Sequence, residues 1–445
     1  MNRSFSLRVH KRRILLIVSV VFYVMVFNST YKLLITPTYD YWGLSYNPPA
    51  LSYLLVSWAV SLIPALWMPT EFKRPSLLLF YIQYFVLFIP SVFVLYHSSR
   101  PILPPDEVLY LVLLMFVGLS IMQSVYLLPI LRFQRAGFRY FGVIFVLFMA
   151  TFLGYVLLKF SDNFRLANLV EIYEVRSAMS EVVSASGSRF GLYAQTWLAG
   201  FFLPFCFAVA AFSKRWWIIA FVAMGYLILF GIGGSKTTLF SMVYITFAYL
   251  WLTRSRQFVA SAFVWGLSTL LALPVFLEFM LPPIISKWYI AILHFRIFTI
   301  PSLLIAQYYE FFQHNPITYM SHVRGMNLLV DYPYDKAHSL LIGEYFYGGG
   351  MNANAGLWAG DGLAGFGPQG IVFMSVVCAI VFYLLDCLSR SYDARFVAVT
   401  ITFAATSFMN VPLSTTLLTG GLGFVMMTLY VLPNNSALKV AFRAP

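Results

Sequence analysis

Runs of 17 to 25 apolar residues recur along this chain from end to end, and each is long enough to cross about 30 Å of hydrocarbon as a helix rising 1.5 Å per residue. In that solvent every backbone N–H and C=O must be satisfied within the segment, so an all-α polytopic membrane protein follows. Composition agrees: 60% of the residues are apolar and 10% charged, with a mean hydropathy of +0.80, far from a soluble domain. We read twelve spans, at 14–35, 50–68, 76–96, 108–131, 141–159, 191–212, 216–232, 237–252, 258–280, 370–388, 396–413 and 415–432.

Charge placement is an independent test, because Lys and Arg accumulate in short loops that stay cytoplasmic. With the amino terminus inside, the inner face carries eighteen of the 29 basic residues and only Glu71, Asp386 and Asp393 among the acids. Both termini are therefore expected in the cytoplasm. The net charge of +13 is this inner surplus, spread in twos and threes beside span ends, so it does not describe a nucleic-acid surface. Arg12 and Arg13 precede a run too long for a signal peptide and without an A-x-A site, which reads as a retained first span. Cys206, Cys378 and Cys387 all fall within or at the end of spans, as buried structural thiols.

No internal repeat divides the chain, which reads as a single integral membrane domain over residues 1–445. Its outer loops are unequal: a shorter one at 160–190 and a large one at 281–369, between spans 9 and 10. Two long loops on one side point to work on that side. Within the large loop, Phe298 to His314 is apolar or aromatic around most of its circumference, with Pro301 suited to a first turn, and predicts a helix on or half sunk in the outer leaflet. The close from Asn352 to Gly370 is so rich in glycine that backbone must approach something closely.

The spans themselves are nearly bare of charge, so no proton or ion relay is written into them. Chemistry is therefore sought in the outer loops. Arginine holds phosphate through two charge-assisted bonds, and Arg176, Arg296 and Arg324 stand in those loops. Arg296, in an aromatic setting beside the membrane, suits a polyprenyl pyrophosphate; a snorkelling or salt-bridged arginine is the other reading. Lys236, in GIGGSKTT at the turn between spans 7 and 8, is a further anion contact. That string lacks the spacing and the preceding strand of a phosphate loop. Asp361, His338 and Glu344 are the groups able to accept a proton, although Asp361 equally suits a helix cap or an Asx turn. No D-x-D pair or histidine cluster suggests a metal, and no cofactor is expected.

These residues carry a resemblance. Phe295-Arg-Ile-Phe298 with Pro301, Tyr308-Tyr-Glu-Phe-Phe312, Tyr332-Pro-Tyr334, Asn352-Ala-Asn354-Ala-Gly356 and Asp361-Gly-Leu-Ala-Gly-Phe-Gly-Pro-Gln-Gly370 resemble the large periplasmic loop of bacterial O-antigen polymerases, the Wzy-type oligosaccharide repeat-unit polymerases. Tyr173-Glu-Val-Arg176 is similar to a motif in that family's other periplasmic loop. The resemblance covers about a third of the chain, in its loops and its topology. It implies a GT-C-like inverting glycosyltransferase of lipopolysaccharide biosynthesis in a Gram-negative inner membrane. Such an enzyme polymerises undecaprenyl-pyrophosphate-linked repeat units at the periplasmic face, with a chain-length regulator protein as a further partner. Arg176, Arg296, Lys236 and Arg324 would then hold the pyrophosphates of donor and acceptor, and Asp361, His338 or Glu344 would orient or deprotonate the attacking hydroxyl. An O-antigen ligase or other polyprenyl-phosphate glycosyltransferase, and a lipid-linked oligosaccharide flippase, stand as the alternatives.

Overall fold

Proline shapes the long helices of this chain. The computed structural model describes residues 3–165, 190–255, 259–277, 282–323, 325–349, 351–354 and 357–432, together with positions 175, 179, 181 and 280. Four π-helical turns occur among them, Tyr31–Ile35, Ile82–Phe88, Leu198–Phe202 and Ile290–Thr299, and each ends two residues before a proline: Pro37, Pro90, Pro204 and Pro301. Proline has no N–H, and its ring crowds the carbonyl one turn back. The residue just before it answers by reaching five residues back, as Thr36 N–H does to Tyr31 O and Ile300 N–H to Phe295 O. One wide turn then keeps the apolar helix continuous, with no backbone group stranded. Pro64 and Pro274 lie inside helices without such a turn.

The described fold is helical, without a β-strand. We number the helices α1 His10–Trp42, α2 Leu51–Trp67, α3 Ser76–His97, α4 Pro105–Leu127, α5 Phe141–Asn163, α6 Phe190–Phe212, α7 Trp216–Gly233, α8 Lys236–Arg254 and α9 Val259–Leu277. They continue with α10 Ile284–His314, α11 His338–Tyr347, α12 Leu357–Phe366, α13 Gly370–Ser389, α14 Ala394–Thr400, α15 Thr402–Ser407, α16 Leu413–Leu418 and α17 Leu422–Val431. Nine of these (α1, α3 to α7, α9, α10 and α13) are long and apolar enough to cross a membrane. The chain is thus a polytopic, membrane-embedded helical protein.

Serine and threonine hydroxyls inside the spans return to their own backbone, as Ser57 does to Tyr53 O and Ser91 to Leu87 O, so few polar groups face hydrocarbon. Helix α3 lies at the centre, buried over its whole apolar stretch and packed against α2, α4, α10 and α13.

Two ends of the bundle are distinct. At one, Arg12 meets Glu71 at 2.8 Å, Arg13 donates to the carbonyls of Ala65 and Met68, Arg74 to those of Val125 and Leu128, and Arg390 to Ile130 O. These are segments that the charge count assigned to one face. At the opposite end, Ser45 donates to His97 O, Tyr53 to Asp106, Gln307 to Arg100 O, and Tyr347 to Trp42 O.

Helix α10 is where the reading of the large loop gains most. Pro301 sits inside one 31-residue helix instead of opening one. Trp288, near its start, lies beside Lys236 at the first turn of α8, and Gln307, near its finish, binds the loop after α3. Helix α8 runs from Lys236 toward the arginine-rich end, where Trp251 donates to Val259 O and packs edge-on against Phe72. Helix α10 therefore begins and ends on the same side of the bundle, and runs along that side although it is long enough to cross.

Two of the expected spans take another form. Residues 396–413 and 415–432 fold into four short helices, kinked at Ile401, interrupted at Pro412 and turned at Gly420-Gly421, where Gly421 has φ +90°. Gly200 on α6 admits that turn, since a Cβ there would press on the Gly420 carbonyl at 2.7 Å. The run at 50–68 is a 17-residue helix, and that at 237–252 lies within α8, which has the length but not the hydropathy of the nine.

At the arginine-rich end Asp386 fastens the central helix. Its carboxylate, fully buried, accepts 2.8 Å and 3.1 Å bonds from the hydroxyl and N–H of Ser76, the first residue of α3, with Arg74 at 3.7 Å. Replacing Asp386 by Ala leaves the Ser76 N–H and hydroxyl at the α3 terminus without their acceptor and removes the countercharge of Arg74, and should cost about 3 kcal/mol. The check is thermal unfolding in detergent, where a melting temperature equal to that of the parent protein would contradict this role.

Candidate functional site

The end opposite the arginines is built on α10, and its cations are positioned by the wide turn. Phe295 stacks on Tyr39 with ring centroids 4.0 Å apart and meets Trp42 edge-on at 5.5 Å. His294, buried, donates from Nε2 to Leu271 O at 2.8 Å, so it is a packing residue between α9 and α10. With the two residues before it pinned inward, Arg296 is exposed, and makes no ion pair or hydrogen bond among the described residues. Eight residues earlier Trp288 carries the Lys236 ammonium 5.5 Å above its ring. Lys236 is held there by Ser235, whose hydroxyl accepts from Thr238 N–H and caps α8. No acid occurs between Pro282 and Tyr309, so Lys236, Lys287 and Arg296 make this stretch of α10 a cationic, aromatic surface. Chemically, such a surface suits a phosphorylated headgroup whose apolar tail stays in lipid.

A second group of residues lies further along the helix, around Tyr308 of α10. Helix α12 is buried on every described face, which its glycines permit: Gly360 packs on the Tyr308 ring, Gly362 on the backbone of Gly370, and Gly365 on Met320. The glycines flanking Asp361 thus serve close helix packing. Asp361, 4% exposed, accepts from the Leu413 N–H at the start of α16 at 3.3 Å. Burial pushes its carboxyl up to about 7, with the Leu413 bond pulling the other way. Asp361 thus lies inside α12 and meets the start of a helix some fifty residues further along the chain.

His338, at the start of α11, packs edge-on against Tyr308 at 5.7 Å and against His322 at 4.7 Å. Thr318 Oγ1 donates to Ala364 O and lies 2.9 Å from His322 Nδ1, so it accepts from an Nδ1–H. That tautomer leaves His322 Nε2 without a proton, and neither it nor His338 Nδ1 has a hydrogen-bond partner among the described residues. Burial lowers His322 to about 4 and, with the neighbouring His322, His338 to about 3.

The structure therefore sets His338 against the Tyr308 ring and Asp361 next to Gly360, which packs on that ring, and brings Lys236 to Trp288 of α10, the helix that carries Arg296. Glu344 stands apart on the exposed side of α11, paired with Lys336 at 2.9 Å. Arg176 and Arg324 lie outside the described residues. Sequence reasoning missed His322 and Thr318. The only signal for His322 was another histidine sixteen residues on, a spacing with no helical or strand meaning. Among the described residues no group of three His, Cys, Asp or Glu could hold a metal ion. No protein-family model, curated protein or solved structure matches the chain.

The buried groups give opposite pH signs. Each histidine stays neutral when folded but charges below about pH 6.5 when unfolded, so stability present above pH 6.5 is lost as pH falls toward 4. Asp361 stays protonated when folded up to about 7, so its contribution is present below about pH 4 and lost as pH rises toward 7. Two histidines outweigh one carboxyl. Acidification from pH 6.5 to 4.5 should therefore draw down the stability these groups contribute, and Asp361→Asn should steepen the fall. Melting temperatures of both proteins across that range check the signs, and a flatter profile in Asp361→Asn would contradict them.

Proposed function

We propose that this chain is an inverting membrane glycosyltransferase that polymerises undecaprenyl-pyrophosphate-linked oligosaccharide repeat units at the outer, periplasmic face of a Gram-negative inner membrane. The observation that carries the reading is Arg296: an exposed guanidinium, without an ion pair among the described residues, on an apolar, aromatic helix that runs along the end of the bundle opposite the basic loops. An arginine so placed matches a diphosphate at the headgroup level, with its polyprenyl tail in lipid. With the arginine-rich end in the cytoplasm by the positive-inside rule, α10 faces the periplasm. Both termini are then cytoplasmic, in a GT-C-like arrangement of about twelve spans.

In this reading a sugar hydroxyl of the acceptor attacks the anomeric carbon of the donor glycan, and the bond from that carbon to the pyrophosphate breaks. Undecaprenyl pyrophosphate leaves with the electron pair, stabilised by Arg296 and Lys236, with Arg176 and Arg324 as further phosphate contacts. The hydroxyl proton passes to a neighbouring base. His338 and Asp361, near Tyr308, are the groups that orient or deprotonate the hydroxyl, with Glu344 the third candidate. The bilayer supplies both lipid-linked substrates, and a chain-length regulator is a further partner.

One observation favours a second reading. The C-terminal helices are broken at Pro412 and at Gly420-Gly421, as are helices that line substrate paths in transporters, which suits a flippase for the same lipid-linked oligosaccharide.

Substituting Arg296 by Ala should lower polymerisation roughly 100-fold and leave single-repeat glycolipid, while Arg296→Lys, keeping the charge but losing the fork, should retain part of it. Gel profiles of surface polysaccharide at equal expression make the test. Full-length banding from Arg296→Ala would end this role for the arginine, and loss of the single-repeat product as well would favour the flippase.

A further inference from the structure

The arginine-rich end contains a built cavity that the reading above does not use. It measures about 310 Å³, within the range of small-ligand sites, and lies between residues 132–135 and the end of α13. Its walls include Arg132, Arg135 and Arg390, with Phe133 and Ser391, and no acid. The segment before it is pinned on both sides: Tyr383 donates to Pro129 O, Arg390 Nη1 to Ile130 O at 2.8 Å, and Phe138 N–H to Val431 O at 2.7 Å.

The three guanidiniums are held but not neutralised. Arg135 lies 4.3 Å over the Tyr392 ring and makes no ion pair among the described residues. Arg390 makes one hydrogen bond, to a carbonyl, and Arg132 is exposed with no partner among the described residues. The acids nearest in sequence are engaged elsewhere, Asp386 with Ser76 and Arg74, and Asp393 with the Arg395 N–H. Three like charges around one cavity call for an anion with several acceptor oxygens.

The rim says which kind. Leu127, Leu128, Leu131 and Phe133 are all exposed along the same stretch, so apolar surface adjoins the charged pocket. Charge beside apolar surface at the end of a transmembrane helix is the recognition pattern of a phospholipid headgroup with its acyl chains. We propose that this cavity binds the phosphodiester of an anionic phospholipid, independently of the chemistry at the other end.

The test is native mass spectrometry of the full-length protein in detergent, with phosphatidylglycerol and phosphatidylcholine of matched chains as probes and soluble glycerophosphate as competitor. Phosphatidylglycerol should be retained about tenfold over phosphatidylcholine. The triple variant Arg132→Gln, Arg135→Gln, Arg390→Gln should bring that ratio near one. The pair Arg215→Gln, Arg254→Gln, on exposed residues outside the cavity, should leave it unchanged. Should the triple variant fail to fold, Arg132→Gln alone, which breaks no contact among the described residues, should lower the ratio about fivefold. An unchanged ratio in the cavity variants, or an equal fall in the Arg215 and Arg254 pair, would overturn the site. Displacement by glycerophosphate as readily as by lipid would overturn the phospholipid assignment and leave a soluble phosphate as the ligand.

Discussion

Each proline in an apolar helix removes one backbone donor, and in hydrocarbon no water replaces it. Where Pro37, Pro90, Pro204 and Pro301 fall, the preceding residue reaches one position further back, and a π turn keeps the ladder closed. The rest of the architecture leans on these turns. The turn at Pro90 lies in the central helix α3, and that at Pro204 lies beside Gly200, where α6 admits the Gly420-Gly421 turn. The turn before Pro301 sets His294 and Phe295 into the protein and Arg296 out of it.

The same constraint separates the two ends of the molecule. Arginines at one end donate to carbonyls and to Glu71 and pair with Asp386, fastening helix termini that would otherwise be open. At the other end Lys236 of α8 lies over Trp288 of α10 and Arg296 stands exposed, while His322 and His338 gather further along α10 around Tyr308, near the buried Asp361. One end is held together by its charges, while the other leaves Arg296 exposed. The proposed enzyme would work at the second.

Most of the helical frame was legible in the sequence because run length and hydropathy report it directly. The last two spans were not, because an apolar run hides the effect of Pro412 and of Gly420-Gly421, whose turn depends on a third glycine more than two hundred residues away. Pro301 was read as a helix start because proline favours a first turn, but here the helix was already formed and could widen. Arg296 was found from its residue type and aromatic neighbours, and it stands exposed. Asp361 was read two ways from its flanking glycines; they allow α12 to pack against Tyr308 and Gly370, which buries the carboxyl beside Leu413. That partner is distant in sequence, and so was invisible there.

The whole account turns on α10 beginning and ending on one side of the membrane. Single cysteines at Lys287, Gln313 and Arg132, in a protein whose three native cysteines are replaced, can be tested with a membrane-impermeant maleimide in intact and opened cells. The account predicts that positions 287 and 313 react from the same side, outside, and that position 132 reacts only after opening. Labelling of 287 and 313 from opposite sides would make α10 a crossing helix, and would remove its platform from the proposed site.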